Sequence, residues 1–466
     1  MRDQYCSAPY LLAKTTLKFR RHWHAFCAVL EIGYWSVKLA GIVPGRCAGP
    51  ADLCGRCLVI VIPPPEHERK PKSEPTLDEQ LGQTQPKFTE QDLQAFQYFD
   101  LLQPLLEKLH AAGTERDRAG NRVLFFDQYA ALLLLYFFNP VLTSLRGIQQ
   151  ATGFRKVQRE LGVAPTSLGS LSEASRVFDA DLLHPLIREL ADQLVPWQQG
   201  AEAAALRTLT AVDGTLLPAL PKMAWALWNY DDKKAARLHL HFEVLKSVPV
   251  DARITPGKSC EKKALHQMLA AGRFYVTDRG YEQFRLFQAI IDIGSSFVCC
   301  VRKQMTWQVL QERPWSDVAR AAGVVFDAEV DLGGKKAHGV LKQSLRVVQI
   351  AIGKTDRQGQ PVILTLITDK LDLDAELIAL AYRFRWQIEL FFRWLKCILG
   401  CRHLLSTSQN GVELQVYLAL IASLLIALWT GRKPTKRTYE MLCFYFLGVV
   451  ELDELTAHIA QLKTQD

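Results

Sequence analysis

The chain has 466 residues, 49% of them hydrophobic, and carries 56 Lys and Arg against 48 Asp and Glu, a formal net charge of +8. That length is sufficient for two or three domains with sizeable cores. The basic surplus favours a polyanionic partner, but it is spread over a long chain and is also found in ordinary enzymes. The most apolar run, Val416–Trp429, is shorter than the roughly 20 residues that a bilayer requires. The composition therefore excludes a transmembrane protein, and this run predicts a core helix.

The first 87 residues differ in composition from the rest. Five of the 11 cysteines lie within the first 57 residues, and Cys54 and Cys57 have the spacing of a zinc or redox pair without a second such pair to complete a site. Pro63–Pro75 is typical of a flexible linker. We expect residues 1–87 to be a poorly ordered extension. The early segment mixes Lys, Arg and His with its apolar residues and does not form a convincing secretory signal, which favours a reducing cytoplasm.

Residues 88–205 have helical periodicity and predict a helical DNA-binding region. The apolar run Tyr129–Phe138 predicts a buried helix that ends before Pro140. Ser144–Leu161 is interrupted by glycine and carries Gln and Arg, a pattern typical of a helix-turn-helix element. Many helical hairpins share this pattern, so a structural hairpin without DNA contact remains an alternative.

Two aspartates follow short strand-like runs in residues 206–294. Leu206–Val212 leads into Asp213-Gly, and Phe274, Tyr275 and Val276 lead towards Asp278. A single such aspartate is more often a turn or cap residue than a metal ligand.

Between these two acids, Arg237–Leu245 alternates between apolar and polar residues, which predicts a half-buried strand. His239 and His241 lie on its polar side. They suggest a metal pair, but a polar face near DNA or solvent is the favoured interpretation, since no third ligand stands at suitable spacing.

The interval from Asp278 to Glu389 is 111 residues (389 − 278), more than one helix and a turn require. Residues 295–368 contain alternating, β-rich runs separated by Gly, Asp and Lys turns, and they predict a β-rich insertion. The predicted strands are Ser296–Arg302, Gly323–Val330, Gln343–Ile352 and Val362–Thr368.

The most informative segment carries Tyr382, Arg385, Glu389 and Lys396 at separations of 3, 4 and 7 residues. At about 100° per residue these four lie within an arc of about 60° on one face of a predicted helix. Arg393 shares this face, and Phe384, Ile388, Phe391, Leu395 and Leu399 form an apolar stripe on another side. A carboxylate among Arg, Lys and Tyr can hold a cation while its neighbours bind a phosphate, which indicates phosphoryl transfer on nucleic acid. The alternative is an ordinary amphipathic helix in which Glu389 pairs with Arg385 and Arg393.

The pattern Tyr-x2-Arg-x3-Glu-x6-Lys resembles the signature of DDE transposases of the bacterial insertion sequence family four. The flanking segments Thr368–Leu380 and Leu404–Val412 are also similar to those around that signature. The resemblance implies an α/β fold with a ribonuclease-H-like catalytic core. A β-rich insertion interrupts this core at residues 295–368, and residues 369–466 complete it with the Glu389 helix and the C-terminal helices.

The same resemblance implies a site with two Mg²⁺ ions, for which Mn²⁺ can substitute. Asp213 is then the acid shared by both ions, while Asp278 and Glu389 each hold one. A chain that supplies carboxylates here, without clustered His or Cys, suits magnesium. Tyr382, Arg385 and Lys396 are implied to bind DNA phosphates, with Arg393 as an additional contact.

The implied activity is cleavage at transposon ends and strand transfer into target DNA, by a homodimer bound to paired terminal inverted repeats. The family implies a hairpin intermediate with a flipped base held by an aromatic side chain, for which Trp307, Trp315 and Trp386 are candidates. The implied location is the bacterial cytoplasm, in association with the nucleoid. Two alternatives remain: an inactive relative that only binds DNA, and a ribonuclease-H-like nuclease that cuts without joining.

Overall fold

A computed structural model describes much of the chain after residue 105. The described residues are 106–110, 112, 120–197, 200–220, 222–226, 234–332, 339–355, 358–401, 403–431 and 433–463. All of them lie in one compact unit, Thr84–Asp466. The predicted extension at residues 1–87, with Cys54, Cys57 and the linker Pro63–Pro75, lies outside the described residues.

The described part of the predicted helical region begins with a buried apolar helix. This helix, α1, ends at Phe138, directly before Asn139 and Pro140, as the apolar run predicted. Among the described residues, α1 (Phe126–Phe138) is followed before the first strand by the α-helices α2 (Leu145–Ala151), α3 (Arg155–Leu161), α4 (Leu168–Val177), α5 (His184–Asp192) and α6 (Ala201–Ala205), and by a 3-10 helix, Ala180–Leu183.

Helices α2 and α3 form the short hairpin predicted from Ser144–Leu161. The Ser144 hydroxyl accepts a hydrogen bond from the Gly147 N–H and begins α2. Gly162, with φ of 60°, ends α3 in the left-handed conformation. Phe154 between the helices is 64% exposed. Two short helices therefore occupy the predicted segment, and its contact with DNA stays a prediction.

In the part of the chain that the structure describes, nine strands form one mixed sheet in the order β3-β2-β1-β4-β5-β9-β8-β7-β6. The strands are β1 (Leu209–Pro218), β2 (Ala235–Glu243), β3 (Val248–Pro256), β4 (Phe274–Thr277), β5 (Ser296–Val301), β6 (Gln308–Glu312), β7 (Val324–Asp331), β8 (Leu345–Thr355) and β9 (Pro361–Thr368). The remaining helices are α7 (Glu261–Met268), α8 (Phe284–Asp292), α9 (Asp317–Ala321), α10 (Ala375–Phe384), α11 (Trp386–Cys397), α12 (Gln409–Thr430), α13 (Lys436–Phe446) and α14 (Leu452–Lys463).

The predicted β-rich insertion continues the core sheet. Strand β5 pairs in parallel with β4, and β9 pairs antiparallel with β5 at Val298↔Thr368. Strands β8, β7 and β6 then extend the same sheet to its edge. Each of the four predicted strand runs overlaps an observed strand. The domain boundaries drawn from the sequence stay a prediction.

The prediction of a half-buried β2 is wrong. His239 and His241 are only 2% and 3% exposed, so both faces of the strand are covered. The His239 imidazole hydrogen-bonds the Thr255 hydroxyl on β3 at 2.8 Å, and His241 packs edge-on against Tyr275. Helix α7 contacts this strand and its Glu261 pairs with Arg237, so an element from elsewhere in the chain covers the face that alternation alone assigned to solvent or DNA.

Burial of these two histidines predicts acid sensitivity. Burial lowers the pKa of each to about 4, so the folded protein binds fewer protons than the unfolded chain between pH 6.5 and 4. Stability is then fully present above pH 6.5 and falls by up to about 1.4 kcal/mol per pH unit for each histidine as the pH drops through this window. Urea unfolding at pH 7, 6 and 5 measures the loss. A His239→Gln/His241→Gln variant with the same slope as the wild type would contradict this origin.

Helix α12 is the core helix predicted from Val416–Trp429, and it is longer than that run. Its 22 residues are apolar enough to meet the length and hydropathy criteria for a membrane span, but 89% of its most apolar window is buried inside the protein. It packs against α1, α5 and β3. The apolar surface is therefore covered by other elements of the chain.

Candidate active site

Asp213 and Asp278 lie at the same level of two neighbouring parallel strands. Strands β1 and β4 pair in the register Ala211↔Val276, and each aspartate follows its paired residue by two positions. Asp213 lies within β1, and Asp278 directly follows the last residue of β4. The fold therefore brings together two acids that are 65 residues apart in the sequence (278 − 213).

Glycines beside both aspartates permit close approach of the backbone. The Gly214 N–H donates to Asp213 Oδ1 at 2.7 Å, and the Gly280 N–H donates to Asp278 Oδ1 at 2.8 Å. A Cβ at Gly214 would lie 2.9 Å from Glu261 Oε1, and a Cβ at Gly280 would lie 2.9 Å from Asp278 Oδ1. Larger residues at either position would displace a carboxylate of the site.

The environment of Asp213 disfavours its charge. Burial raises the pKa of Asp213 to about 6; the Gly214 N–H and Arg385 lower it, while the charges of Asp278 and Glu261 raise it further. Like charges at such a position store unfavourable electrostatic energy that a bound cation would relieve.

The predicted single helix through Tyr382 and Lys396 is divided at Arg385. Helix α10 ends at Phe384 and α11 begins at Trp386. The Arg385 N–H donates to the Tyr382 carbonyl at 3.2 Å, and the Ile388 N–H donates to the Arg385 carbonyl at 3.3 Å. These bonds span three residues instead of four, so the backbone tightens locally without leaving the helical region.

The break keeps the polar face together. Arg385 Nη2 lies 2.8 Å from Glu389 Oε1, which is one half of the pairing expected for an ordinary amphipathic helix. Arg385 also acts electrostatically on Asp213. The guanidinium therefore links the α11 carboxylate with the β1 carboxylate.

A cleft of about 400 Å³ lies between α11 and the middle of β1. It is lined by Asp213, Gly214, Thr215, Glu389, Phe392, Arg393, Lys396 and Cys397. The predicted apolar stripe of α11 is buried beneath it, with Ile388 and Leu395 fully inaccessible. The polar face of the helix thus points towards Asp213.

The other predicted phosphate contacts differ in their surroundings. Lys396 Nζ donates to the Leu216 carbonyl of β1 at 3.2 Å, and Arg393 is exposed at the cleft. Tyr382 is half-buried with the Arg385 guanidinium 5.8 Å from its ring centroid. Three cations thus surround Glu389 or the cleft that it lines, while Tyr382 packs against Arg385.

Three further residues at this site were missed by sequence reasoning. Glu261, the first residue of α7, is paired with Arg237 of β2. Tyr281 is 1% exposed, and its hydroxyl has no hydrogen-bond partner within the described part of the chain. An acid at a helix start is ordinary in sequence, so only the fold shows that Glu261 approaches Asp213 and Asp278.

The donor set suits a hard divalent cation. Asp213, Asp278 and Glu389 offer carboxylate oxygens, and burial, together with the charges of Asp278 and Glu261, raises the pKa of Asp213. Among the described residues, no group of three His, Cys, Asp or Glu side chains is arranged as a preformed metal site. Arg385 pairs with one carboxylate oxygen of Glu389, so this ion pair must break before both oxygens of Glu389 can bind a cation.

The chain matches the family model described as "Transposase DDE domain" over residues 204–425. It is 28% identical over 225 residues to a putative transposase of Sinorhizobium fredii (strain NBRC 101917 / NGR234), which covers 47% of this chain and 60% of that protein. It is 25% identical over 255 residues to a probable transposase for insertion sequence element IS5377 of Geobacillus stearothermophilus, covering 53% of this chain and 64% of the relative.

A solved structure of the piggyBac transposase synaptic complex with hairpin DNA aligns with a TM-score of 0.36 at 10% identity, over 79% of this chain and 84% of that one. The sequence alignments span about 60% of the length of the curated relatives. The region matched by the family model, residues 204–425, includes Asp213, Asp278 and Glu389. Residues 204–425 of the chain are therefore similar to a transposase DDE domain.

Proposed function

We propose that the chain is a metal-dependent DNA transposase that cleaves at transposon ends and joins them to target DNA. The observation that carries the proposal is the alignment of Asp213 with Asp278 on adjacent parallel strands, with the Glu389 helix facing Asp213 across a cleft. The match of this region to the transposase DDE domain supports it. We assign the chain to insertion sequence family four on the Tyr382-Arg385-Glu389-Lys396 signature, and its core to the ribonuclease-H-like class.

In this proposal Asp213 would be shared by two Mg²⁺ ions, with Asp278 and Glu389 each holding one, and Mn²⁺ would substitute. Such ions, when bound, stabilise the attacking and leaving oxygens of an in-line displacement at phosphorus. The protein contributes the fixed register of β1 and β4, which sets the two aspartates side by side. A water and then a 3′-hydroxyl serve as nucleophiles.

Arg385, Arg393, Lys396 and Tyr382 are proposed to hold DNA phosphates in the cleft. Arg385 already pairs with the Glu389 carboxylate, and a guanidinium binds carboxylate and phosphate through the same planar donors. A DNA phosphate that binds Arg385 in place of Glu389 would release the Glu389 carboxylate from this ion pair. DNA binding would thereby complete the acidic site at the moment when substrate is present.

Trp386 is the best placed of the three tryptophans proposed to hold a flipped base. It is 52% exposed and begins α11, next to Arg385. Trp307 and Trp315 are partly buried and pack against the two apolar cores. An exposed ring beside phosphate-binding side chains can stack on an unpaired base.

We further propose that the chain acts as a homodimer on paired terminal inverted repeats, with the α2–α3 hairpin contributing to DNA binding. The hairpin carries Arg155, Lys156 and Arg159, which supply positive charge for phosphate contacts. A reducing bacterial cytoplasm is the proposed location, and Cys299 and Cys300, adjacent buried thiols, are free.

The test is an end-cleavage and strand-transfer assay. Purified protein is incubated with Mg²⁺ or Mn²⁺, supercoiled plasmid and a DNA fragment that carries both ends of the element. We expect metal-dependent cuts at the ends and fragments joined to plasmid. Cutting without joined product would identify a nuclease, and binding without cutting would identify an inactive relative; either result overturns the proposal.

A further inference from the structure

Beside the aspartate pair lies a fourth carboxylate, Glu261, on an element distinct from those of the three predicted acids. Its Oε1 lies where a side chain at Gly214 would clash, and its Oε2 lies 3.7 Å from the Cβ position of Gly280. The carboxylate thus spans the space between the residue after Asp213 and the turn after Asp278.

Glu261 is held in this place by Arg237. Arg237 Nη1 donates to Glu261 Oε1, and the two side chains are 19% and 28% exposed. Arg237 belongs to β2, which pairs with β1. One charge of the acidic cluster is therefore balanced, while the second Glu261 oxygen remains directed towards the Asp278 turn.

The buried Tyr281 hydroxyl is a second, independent indication of a ligand. It is almost completely inaccessible and lacks a hydrogen-bond partner within the described residues. Burial raises the pKa of Tyr281, and the nearby charges of Glu261, Asp213 and Asp278 raise it further. An orphaned buried hydroxyl costs stability unless something bound among these groups completes it.

We propose that Glu261 and Tyr281 form a polar shell around a divalent ion at the Asp213–Asp278 pair, with Glu261 as a positioning residue that Arg237 fixes. Magnesium keeps several of its water ligands in proteins, and such waters need acceptors and donors in defined places. Glu261 supplies a fixed acceptor, and Tyr281 supplies a hydroxyl that can donate or accept. This inference rests on the proposed metal-dependent function and adds two residues to its machinery.

Glu261→Gln is the primary variant. Glutamine retains an oxygen that can accept from Arg237, so the fold should survive, but it removes one negative charge. We expect the Mn²⁺ concentration that gives half of the maximal rise in unfolding temperature, measured without DNA, to increase about 10–100-fold. The Mn²⁺ concentration for half-maximal end cleavage should rise by a similar factor. Glu261→Asp keeps the charge and shortens the side chain, so its Mn²⁺ requirement should lie between those of the wild type and Glu261→Gln.

Glu243→Gln is the matched control. Like Glu261, Glu243 accepts a hydrogen bond from an arginine, Arg273, at 3.1 Å. It is the last residue of β2, whereas Arg237 lies near the beginning of that strand. We expect this variant to lose stability and to keep the wild-type Mn²⁺ titration. If Glu261→Gln merely loses stability in the same way, without a change in its Mn²⁺ titration, Glu261 is a structural ion-pair partner and the inference fails.

Tyr281→Phe separates the inference from a packing role. Phenylalanine fills the same space and removes only the orphaned hydroxyl, so the metal-free protein should unfold at an unchanged or higher temperature. Its Mn²⁺ requirement should nevertheless rise. An unchanged requirement would overturn the part assigned to Tyr281. A wild-type protein that binds Mn²⁺ but neither cuts nor joins DNA would instead refute the proposed function while leaving the metal-shell assignment standing.

Discussion

Asp213→Asn should abolish DNA cleavage and at the same time stabilise the folded protein. Cleavage should fall below about 1% of wild type, because even outer-shell partners of catalytic metals are worth 10–100-fold and Asp213 is proposed as a direct ligand. The gain in stability has a different origin. Burial and the charges of Asp278 and Glu261 raise the pKa of Asp213 to about 6, so the ionised form is unfavourable in the folded state.

The pH dependence fixes the sign of this effect. A carboxyl whose pKa rises from 3.8 to about 6 on folding weakens the fold above pH 6, and this cost disappears as the pH falls from 6 to 3.8. At pH 7 the neutral amide should therefore increase the free energy of unfolding by roughly 1–3 kcal/mol. His239 and His241 act in the opposite direction over part of the same range, so wild type and variant must be compared at each pH.

Denaturant unfolding at pH 7 and pH 5, with and without Mg²⁺, measures both parts of this prediction. Mg²⁺ should raise the stability of the wild type at pH 7 more than that of Asp213→Asn, because it relieves charge that the variant lacks. Asp317→Asn, at an exposed position on α9, is the matched control and should change neither property. Equal stability of Asp213→Asn and wild type at pH 7 would show that Asp213 is not electrostatically strained.

Asp327→Ala should destabilise the protein by roughly 3–5 kcal/mol, because it leaves the Arg346 charge buried without a counterion. Asp327 on β7 and Arg346 on β8 are 1% and 3% exposed as side chains and are joined by two hydrogen bonds of 2.6 and 2.8 Å. The same guanidinium donates to the carbonyls of Lys370, Leu371 and Leu373. Urea unfolding of wild type and variant gives the difference in free energy.

The double variant Asp327→Leu/Arg346→Met distinguishes charge burial from packing. Apolar replacement of a buried ion pair is often neutral, so most of the lost stability should return. The carbonyls of Lys370 and Leu373 would lose their Arg346 donor, while that of Leu371 keeps Arg313, and this segment leads directly into α10. We expect faster amide exchange there and weaker cleavage. A double variant as unstable as Asp327→Ala would contradict the electrostatic explanation.

The sequence singled out Asp213 and Asp278 because each follows a short strand-like run and precedes a glycine, and the family resemblance grouped them into one site. Their exact pairing, in contrast, depends on the β1–β4 register, which no local pattern contains. The four strand runs of residues 295–368 were likewise predicted, whereas their continuity with the core sheet depends on the pairing of β5 with β9.

Helical spacing and strand alternation could not predict other features of the fold and the site. The break at Arg385 occurs without Pro or Gly, so the regular spacing of Tyr382 and Glu389 concealed it. Alternation placed His239 on an open face because it cannot register a helix that packs there from elsewhere in the chain. Glu261 was missed because its partner Arg237 is 24 residues away and belongs to another element.

Helix α12 has a consequence for how the protein is made. It lies at residues 409–430, yet it packs against α1 and α5, which precede it by more than two hundred residues. During synthesis the apolar surface of α1 and α5 that α12 covers stays exposed until α12 leaves the ribosome. An exposed apolar surface favours aggregation or binding by chaperones. A ribosome that stops early would therefore release a chain without a closed core, and a fragment ending before residue 409 should be recovered in inclusion bodies.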